Sequence, residues 1–174
     1  MICNRIVDEL HLVDKKNEYI VDTNILLYLY GDSRLITENK KIKSMAYKFN
    51  VALDNGCKVY VPSMVISEFI NRYHKLEFNQ IKKKNSSRKL DYKKDYRNSH
   101  IFIENNKFII NTVKNTILDR CKLISDDFEN ANINAIFSEN ENQEFNDNLL
   151  IDIANRNNLY LISADIDTKK IKIN

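Results

Sequence analysis

The sequence predicts an α/β fold, in which helices alternate with the strands of a parallel sheet. Short β-prone runs rich in Val, Ile, Leu and Tyr recur along the chain, and most are followed by a polar turn and a segment with helical spacing. Only two glycines and one proline are present, too few to punctuate the many short strands of a sandwich or barrel. Strands that alternate with helices favour a parallel sheet covered on both faces.

The individual elements follow from local patterns of apolar and turn residues. The predicted strands cover residues 19–21, 59–61, 121–124, 159–162 and, near the C-terminus, 171–173. The predicted helices cover residues 25–30, 38–54, 64–73, 125–137 and 146–157. Gly56 is a candidate left-handed cap for the second helix, and Ser63 is a good N-cap for the third. Residues 80–119 are predicted to form a basic helical insertion between the second and third strands.

Length and composition indicate one globular domain. The chain has 174 residues, of which 43% are hydrophobic and 29% charged. We assign residues 1–18 to an N-terminal extension and residues 19–174 to the domain. Three widely spaced cysteines without a Cys-x-x-Cys pair predict buried thiols in a reducing compartment. No apolar run approaches membrane-spanning length, so we expect a cytoplasmic protein that does not associate with a membrane.

Acidic residues occupy the positions that follow predicted strands or begin the next helices. Asp22 follows the first strand and Asp165 follows the fourth, whereas Glu68 and Asp147 lie within about the first two turns of their helices. In parallel sheets, ligands bind where the carboxyl ends of strands meet helix starts. All four carboxylates are therefore predicted to reach one rim.

The apolar stripe of the 146–157 helix indicates which of its aspartates belongs to the site. Asp147 heads the stripe formed by Leu150, Ile151 and Ala154, so its charge is expected to be partly enclosed and to need a partner. Asp152 points about 140° away on the helical period and is expected to face solvent. Capping or exposure also accounts for Asp126, Asp127, Glu141 and Glu144.

A carboxylate cluster without histidine or thiol suits hard ions such as Mg²⁺ or Mn²⁺. Such ions can activate water and neutralise charge on a scissile phosphate, so phosphodiester hydrolysis is the natural chemistry. Any one of the four acids could instead be a helix N-terminal or salt-bridged surface residue. Four acids at equivalent positions favour a site.

Four segments around these acids resemble the PIN-domain nuclease family in order and spacing. They read IVDTNILL (20–27), PSMVISEF (62–69), NDNLLI (146–151) and LISAD (161–165). The resemblance spans about residue 19 to the C-terminus. It implies a three-layer α/β/α fold with a parallel central sheet. It also implies a Mg²⁺ or Mn²⁺ site formed by Asp22, Glu68, Asp147 and Asp165, with Asn24 and Ser163 as supporting polar residues.

The resemblance further implies a metal-dependent ribonuclease. Many short family members are RNA-cleaving toxins of bacterial toxin–antitoxin pairs, some form homodimers, and the antitoxin often blocks the acidic site. RNA, an antitoxin protein and a second copy of the chain are therefore the implied partners. The sequence departs from the family's pattern in two places. Compact toxins do not need the helical insertion, and Thr168 follows Asp167 at a position where an aromatic residue is common. Asp167 is a weaker fifth candidate.

A basic segment lies within the predicted insertion, and it has two interpretations. Tyr92 and Tyr96 are interleaved with its cations, and Asp91 and Asp95 oppose them. The segment could contact RNA through phosphates and tyrosine stacking, or it could be a solvated helical face. We expect a contributory role in RNA binding for Lys82, Lys83, Lys84, Arg88, Lys89, Lys93, Lys94 and Arg97.

Other chemistries lack their residues. His11, His74 and His100 form no pair at metal-ligand spacing and are expected in surface or capping roles. There is no glycine-rich phosphate loop, and an aspartyl phosphatase would need an acid where Asn24 stands. The remaining alternative is a non-catalytic PIN-like RNA- or protein-binding module. Loss of site acids would be its mark, but all four are present.

Overall fold

The computed structural model describes residues 3–8, 11–31, 40–85, 88–137 and 144–165. These residues form four parallel strands in the order β3-β2-β1-β4, together with seven α-helices. The strands are β1 (Tyr19–Val21), β2 (Val59–Pro62), β3 (Lys122–Ile124) and β4 (Tyr160–Ile162). The helices are α1 (Thr23–Tyr30), α2 (Lys40–Asp54), α3 (Ser63–Lys84), α4 (His100–Thr112), α5 (Leu118–Arg120), α6 (Ile133–Ile136) and α7 (Phe145–Arg156). The predicted α/β class with a parallel sheet is confirmed.

Some predicted features lie outside the described residues. They are the strand at 171–173, the start of the second helix at 38–39, Glu141, and the candidate acid Asp167 with its neighbour Thr168. Among the helices that are described, none is long and apolar enough to span a membrane.

Strand β1 lies at the centre of the sheet because both of its edges are paired. Tyr19 aligns with Val59 of β2 and with Tyr160 of β4. All three β1 residues are buried, although successive side chains of a strand point to opposite faces. Both faces of the sheet are therefore covered at its centre, as expected for a parallel sheet. The first acid of the predicted site follows this strand directly.

Helices α1, α2 and α7 begin and end close to the predicted residues, whereas α3 ends at Lys84, well beyond the predicted Tyr73. Helix α1 starts immediately after Asp22 and buries Ile25, Leu26 and Leu27. Helix α2 is followed by Gly56, whose φ of +74° confirms the predicted left-handed cap. The predicted N-cap of α3 at Ser63 is wrong, because Ser63 is the first helical residue and Pro62 is the N-cap residue. Helix α3 runs for 22 residues, so it carries Glu68 near its start and extends well beyond the sheet.

The residues between β2 and β3 are largely helical, as predicted. Two π-helical turns, Tyr92–Tyr96 and Val113–Ile117, flank α4, and Ile109, Val113 and Ile117 are buried. Single π-helical turns of this kind leave no reliable sequence pattern.

The expectation that His74 lies at the surface is wrong, since its side chain is only 3% exposed. Its Nδ1 accepts from the Tyr96 hydroxyl at 3.1 Å and its Nε2 donates to Asn106 Oδ1 at 3.3 Å. Phe102 stacks on the imidazole with centroids 4.5 Å apart. Burial is the main cause that lowers the pKa of His74. This histidine therefore joins α3 to the insertion.

The predicted helix over residues 125–137 is wrong in extent. Only a 3₁₀ turn at Phe128–Asn130 and the short α6 form there. Asp127 adopts a left-handed φ of +46°, which interrupts a right-handed helix at its predicted start. Asn132 then caps α6 by accepting from the Ala135 amide at 3.1 Å.

The prediction that Asp152 faces solvent is also wrong, because its side chain is buried and only 4% of the residue is exposed. Helix α7 is enclosed on all sides from Asn148 to Ala154, so its apolar stripe does not mark the limit of burial. The Asp152 carboxylate accepts from Arg156 Nε at 2.6 Å and from the Asn132 amide at 3.2 Å. The charge is thus paired inside the fold.

The start of the chain packs against the open edge of β4. Ile6 forms a parallel bridge with Leu161, whose amide donates to Arg5 and whose carbonyl accepts from Val7. Cys3 and Val7 are buried in the core. Part of the segment assigned as an extension therefore contributes to the sheet. The three cysteines are free and buried, as predicted.

Candidate active site

A cleft of about 840 Å³ opens at the rim where α1 follows β1, β4 ends, and α3 and α7 begin. All four acids predicted from the sequence line this cleft: Asp22, Glu68, Asp147 and Asp165. The other described residues that line it are Met64, Ser67, Asn71, Arg72, Lys75, Leu76, Glu144 and Asn146. The fold thus gathers carboxylates from four separate segments of the chain.

Asp22 is the most enclosed of the four acids, with only 7% of the residue exposed. Its Oδ2 accepts from Ser163 Oγ at 2.5 Å and from Asn24 Nδ2 at 2.7 Å. Asn24 Oδ1 in turn accepts from the Ala164 amide at 3.3 Å. The two polar residues expected to support the site therefore connect Asp22 to the end of β4.

Burial raises the pKa of Asp22 to about 6, and the hydrogen bond from Ser163 opposes this effect. The nearby carboxylates of Asp147 and Asp165 raise the pKa further. No basic side chain is among the principal influences on this group. Asp22 is thus a buried acid that meets like charges, so its charged form costs free energy unless a cation compensates it.

Asp147 lies in the first turn of α7 and is partly buried. Burial is the main cause that raises its pKa, followed by the negative charges of Glu144, Glu68 and Asp165. Asp165 is exposed at the rim, and its amide donates to Ser163 Oγ at 3.2 Å. The acids therefore form one electrostatically coupled group around the cleft.

Glu68 differs from the other acids because it has a cationic neighbour. Arg72 Nη1 lies 3.3 Å from its Oε1, one helical turn further along α3. Its Oε2 accepts from Thr23 Oγ1 at 3.3 Å and from Asn146 Nδ2 at 3.2 Å. These bonds hold Glu68 between α1 and the start of α7, and they were not predicted from the sequence.

A hydrogen-bond network outside the cleft fixes the start of α3. The Asp126 carboxylate accepts from the Ser63 amide at 2.9 Å, the Ser63 hydroxyl at 2.6 Å and the Met64 amide at 3.2 Å. Arg156 donates to the Asp126 carbonyl at 3.0 Å and pairs with Asp127 at 2.7 Å. The network joins α7 to α3, the two helices that carry Asp147 and Glu68.

The eight basic residues that are candidates for RNA binding lie in two different surroundings. Lys82, Lys83 and Lys84 form the exposed last turn of α3. Beyond α3, several of the remaining cations meet partners: Arg88 pairs with Asp95 at 3.4 Å, Asp91 lies beside Lys93 and Lys94, and Arg97 lies over the Phe102 ring. None of the eight lines the cleft, whereas Arg72 and Lys75, which the sequence analysis missed, do so. Their helical spacing from Glu68 was the available signal.

The donor set of the cleft consists of carboxylate, amide and hydroxyl oxygens, which hard divalent cations prefer. In the part of the chain that the structure describes, no three carboxylate, imidazole or thiol groups form a ready-made metal-ligand set. Mg²⁺ commonly uses one or two protein carboxylates together with waters and substrate phosphates. The residues present therefore fit an ion that is bound jointly by protein, solvent and substrate.

Comparisons of the chain with models of protein families, with curated proteins and with solved structures find no match.

Proposed function

We propose that this protein is a metal-dependent ribonuclease with a PIN-like three-layer α/β/α fold, which hydrolyses RNA phosphodiester bonds with Mg²⁺ or Mn²⁺. The observation that carries the proposal is the convergence of Asp22, Glu68, Asp147 and Asp165 on one cleft. Two of these acids, Asp22 and Asp147, meet like charges and have no compensating cation among their main electrostatic partners. Like charges that are held close together lower the stability of the folded protein. Such an arrangement is therefore expected where function requires it.

Asp22, Glu68, Asp147 and Asp165 would hold the ion. When bound, a divalent cation would activate water and neutralise charge on the scissile phosphate. Ser163 and Asn24 orient the carboxylate of Asp22, while Thr23 and Asn146 orient that of Glu68. No covalent nucleophile is required by this chemistry.

Two basic side chains give the cleft a way to bind a polyanion beside its acids. Arg72 and Lys75 lie on α3 and line the same cleft as the carboxylates. Cations there can contact the phosphates that flank the scissile bond and offset their repulsion by the acidic group. On this proposal the protein is a cytoplasmic toxin. An antitoxin protein would inhibit it by covering the cleft, and a second copy of the chain would form a homodimer with it.

The first prediction is that cleavage depends on the cleft acids. A single-stranded RNA is incubated with the protein and Mg²⁺ or Mn²⁺, and the rate is compared with those of Asp22→Asn and Asp147→Asn. Both variants are expected to lose at least about a hundredfold in rate, since even residues that only support metal ligands typically contribute 10–100-fold. Asp119→Asn is the matched control, because Asp119 is exposed on α5 and does not line the cleft.

Unchanged cleavage by both cleft variants would remove the proposed site. RNA binding without cleavage under every divalent metal tested would replace the nuclease with a non-catalytic RNA-binding module.

A further inference from the structure

A row of polar and cationic residues runs along one face of α3, starting at the acidic cleft. Glu68, Arg72, Lys75, Asn79 and Lys82 follow one another at intervals of four, three, four and three residues. On the helical period they lie within about 40° of a common direction. Those after Glu68 are all exposed. The face formed by Arg72, Lys75, Asn79 and Lys82 is called the α3 stripe below.

The packing of α4 leaves the α3 stripe accessible. Glu77, nine residues after Glu68, points to the opposite side of the helix and accepts from Asn105 of α4 at 3.3 Å. His74 reaches Asn106 of the same helix. Helix α4 therefore covers the side of α3 that faces away from the stripe.

Of the three cations of the α3 stripe, Arg72 pairs with Glu68, whereas Lys75 at the cleft and Lys82 beyond it have no acidic partner at ion-pair distance among the described residues. Favourable interaction with the C-terminal end of the helix dipole explains lysines in the last turn, including Lys82. It does not explain Lys75, which lies more than two turns before the end of α3. Two unpaired lysines on one helix face that leads away from a cleft indicate a polyanionic ligand.

We propose that the α3 stripe is the track along which an unpaired RNA strand lies as it enters or leaves the acidic cleft. Along the helix axis Lys75 lies about 10 Å and Lys82 about 21 Å from Glu68. A stacked strand advances about 3.4 Å per nucleotide, so it reaches Lys82 about six nucleotides from the cleft. A single row of cations can contact the phosphates of one strand, as an unpaired RNA presents them. The track is a property of RNA binding, and its connection with cleavage rests on the proposed function.

The test measures RNA binding in the presence of a chelator, so that cleavage does not interfere. Fluorescence anisotropy of a labelled, unpaired RNA of about 12 nucleotides, long enough to span the stripe, is recorded over a range of salt concentrations. The double variant Lys75→Gln/Lys82→Gln is expected to bind several-fold more weakly. The slope of log affinity against log salt should become shallower by about 1.4, because each lost single-strand phosphate contact contributes about 0.7.

The matched control is Lys107→Gln/Lys114→Gln, which removes the same charge at the same seven-residue spacing from exposed positions on α4 and the following turn. The control should keep the wild-type slope. A slope in the Lys75→Gln/Lys82→Gln variant equal to that of the wild type overturns the proposal. So does an equal loss in both double variants, which would reflect net charge alone. Unchanged RNA affinity with loss of binding to an acidic polypeptide would overturn it in favour of a protein ligand.

A second readout separates the track from the nuclease proposal. Lys82→Gln is expected to raise KM for the longer RNA while leaving cleavage of a dinucleotide unchanged, because the dinucleotide does not reach Lys82. If RNA follows the α3 stripe but is never cut with any divalent metal, the track stands and the nuclease proposal falls. If cleavage depends on Asp147 but the lysine variants alter neither slope nor KM, the nuclease stands and the track falls.

Discussion

Asp22 shows at the scale of one residue how a site can oppose folding. The pKa of a free aspartate is 3.8, and burial together with neighbouring acids raises that of Asp22 to about 6. The folded protein therefore binds a proton more tightly than the unfolded chain between these values. The sign follows directly: the contribution of Asp22 to stability is fullest below about pH 4 and is lost as the pH rises through about 6.

Asp22→Asn is expected to stabilise the metal-free protein at neutral pH. The rise in pKa corresponds to about 3 kcal/mol at pH 7, and asparagine keeps an oxygen acceptor for Ser163 without the charge. In urea unfolding with a chelator, the variant should gain up to about 3 kcal/mol at pH 7. The gain should shrink towards pH 4, where the wild-type carboxyl is protonated.

The control is Asp119→Asn, which removes an exposed charge and should leave the free energy of unfolding within about 0.5 kcal/mol of wild type. A variant of Asp22 that is less stable than wild type at pH 7 would contradict the view of this carboxylate as uncompensated. Addition of Mg²⁺ should stabilise the wild type and not Asp22→Asn, because a ligand that binds only the folded state raises its stability.

At the scale of the element, the sequence predicts strands and helix ends correctly where they depend on residues that are close together in the chain. The apolar runs of β1 and β4 and the glycine after α2 predicted those elements correctly. The apolar stripe of α7 does not predict the burial of Asp152, because the buried face of the helix is wider than the stripe. Arg156, four residues later, was the signal for a paired acid. His74 had no such signal, since its partners Tyr96 and Asn106 lie more than twenty residues away.

Arg156 is expected to be a main stabilising residue of the α7 region. It pairs with the buried Asp152 and also binds Asp127 and the Asp126 carbonyl, next to the cap of α3. Arg156→Ala leaves the Asp152 charge buried without its partner and should cost about 3–5 kcal/mol in chemical unfolding. Arg88→Ala breaks an exposed pair with Asp95 and should cost less than about 1 kcal/mol.

A double variant distinguishes the buried charge from simple loss of packing. Asp152→Leu/Arg156→Met replaces both ions with apolar groups, and it should recover part of the stability that Arg156→Ala loses. Recovery should be incomplete, because the bonds to Asp127 and Asp126 remain broken. If the double variant is no more stable than Arg156→Ala, the unpaired charge is not the source of the loss.

At the scale of the whole molecule, the order of the elements predicted the rim on which the acids meet. Carboxyl ends of parallel strands share one edge, so Asp22 and Asp165 could be brought together without knowledge of any side-chain contact. The order of the elements does not predict the contribution of Arg72 and Lys75. They are single cations at helical spacing, and they lie outside the dense run of basic residues. The pairing at the open edge of β4 was also missed, because residues 5–7 form only a single bridge with Leu161.

That edge gives the last prediction, which concerns how much of the chain belongs to the fold. Val7 is 1% exposed and lies where the chain pairs with Leu161, just before the polar end of β4 that supports Asp22. Val7→Ala should destabilise the protein by about 2 kcal/mol through lost burial and the resulting cavity. Leu12→Ala, in the same N-terminal segment, should change the free energy of unfolding by less than about 0.5 kcal/mol, because Leu12 is 87% exposed. Chemical unfolding of the two variants measures this. A clear difference between their free energies of unfolding makes the N-terminal segment part of the domain. Equal and small losses of free energy would leave residues 1–18 as an extension outside its core.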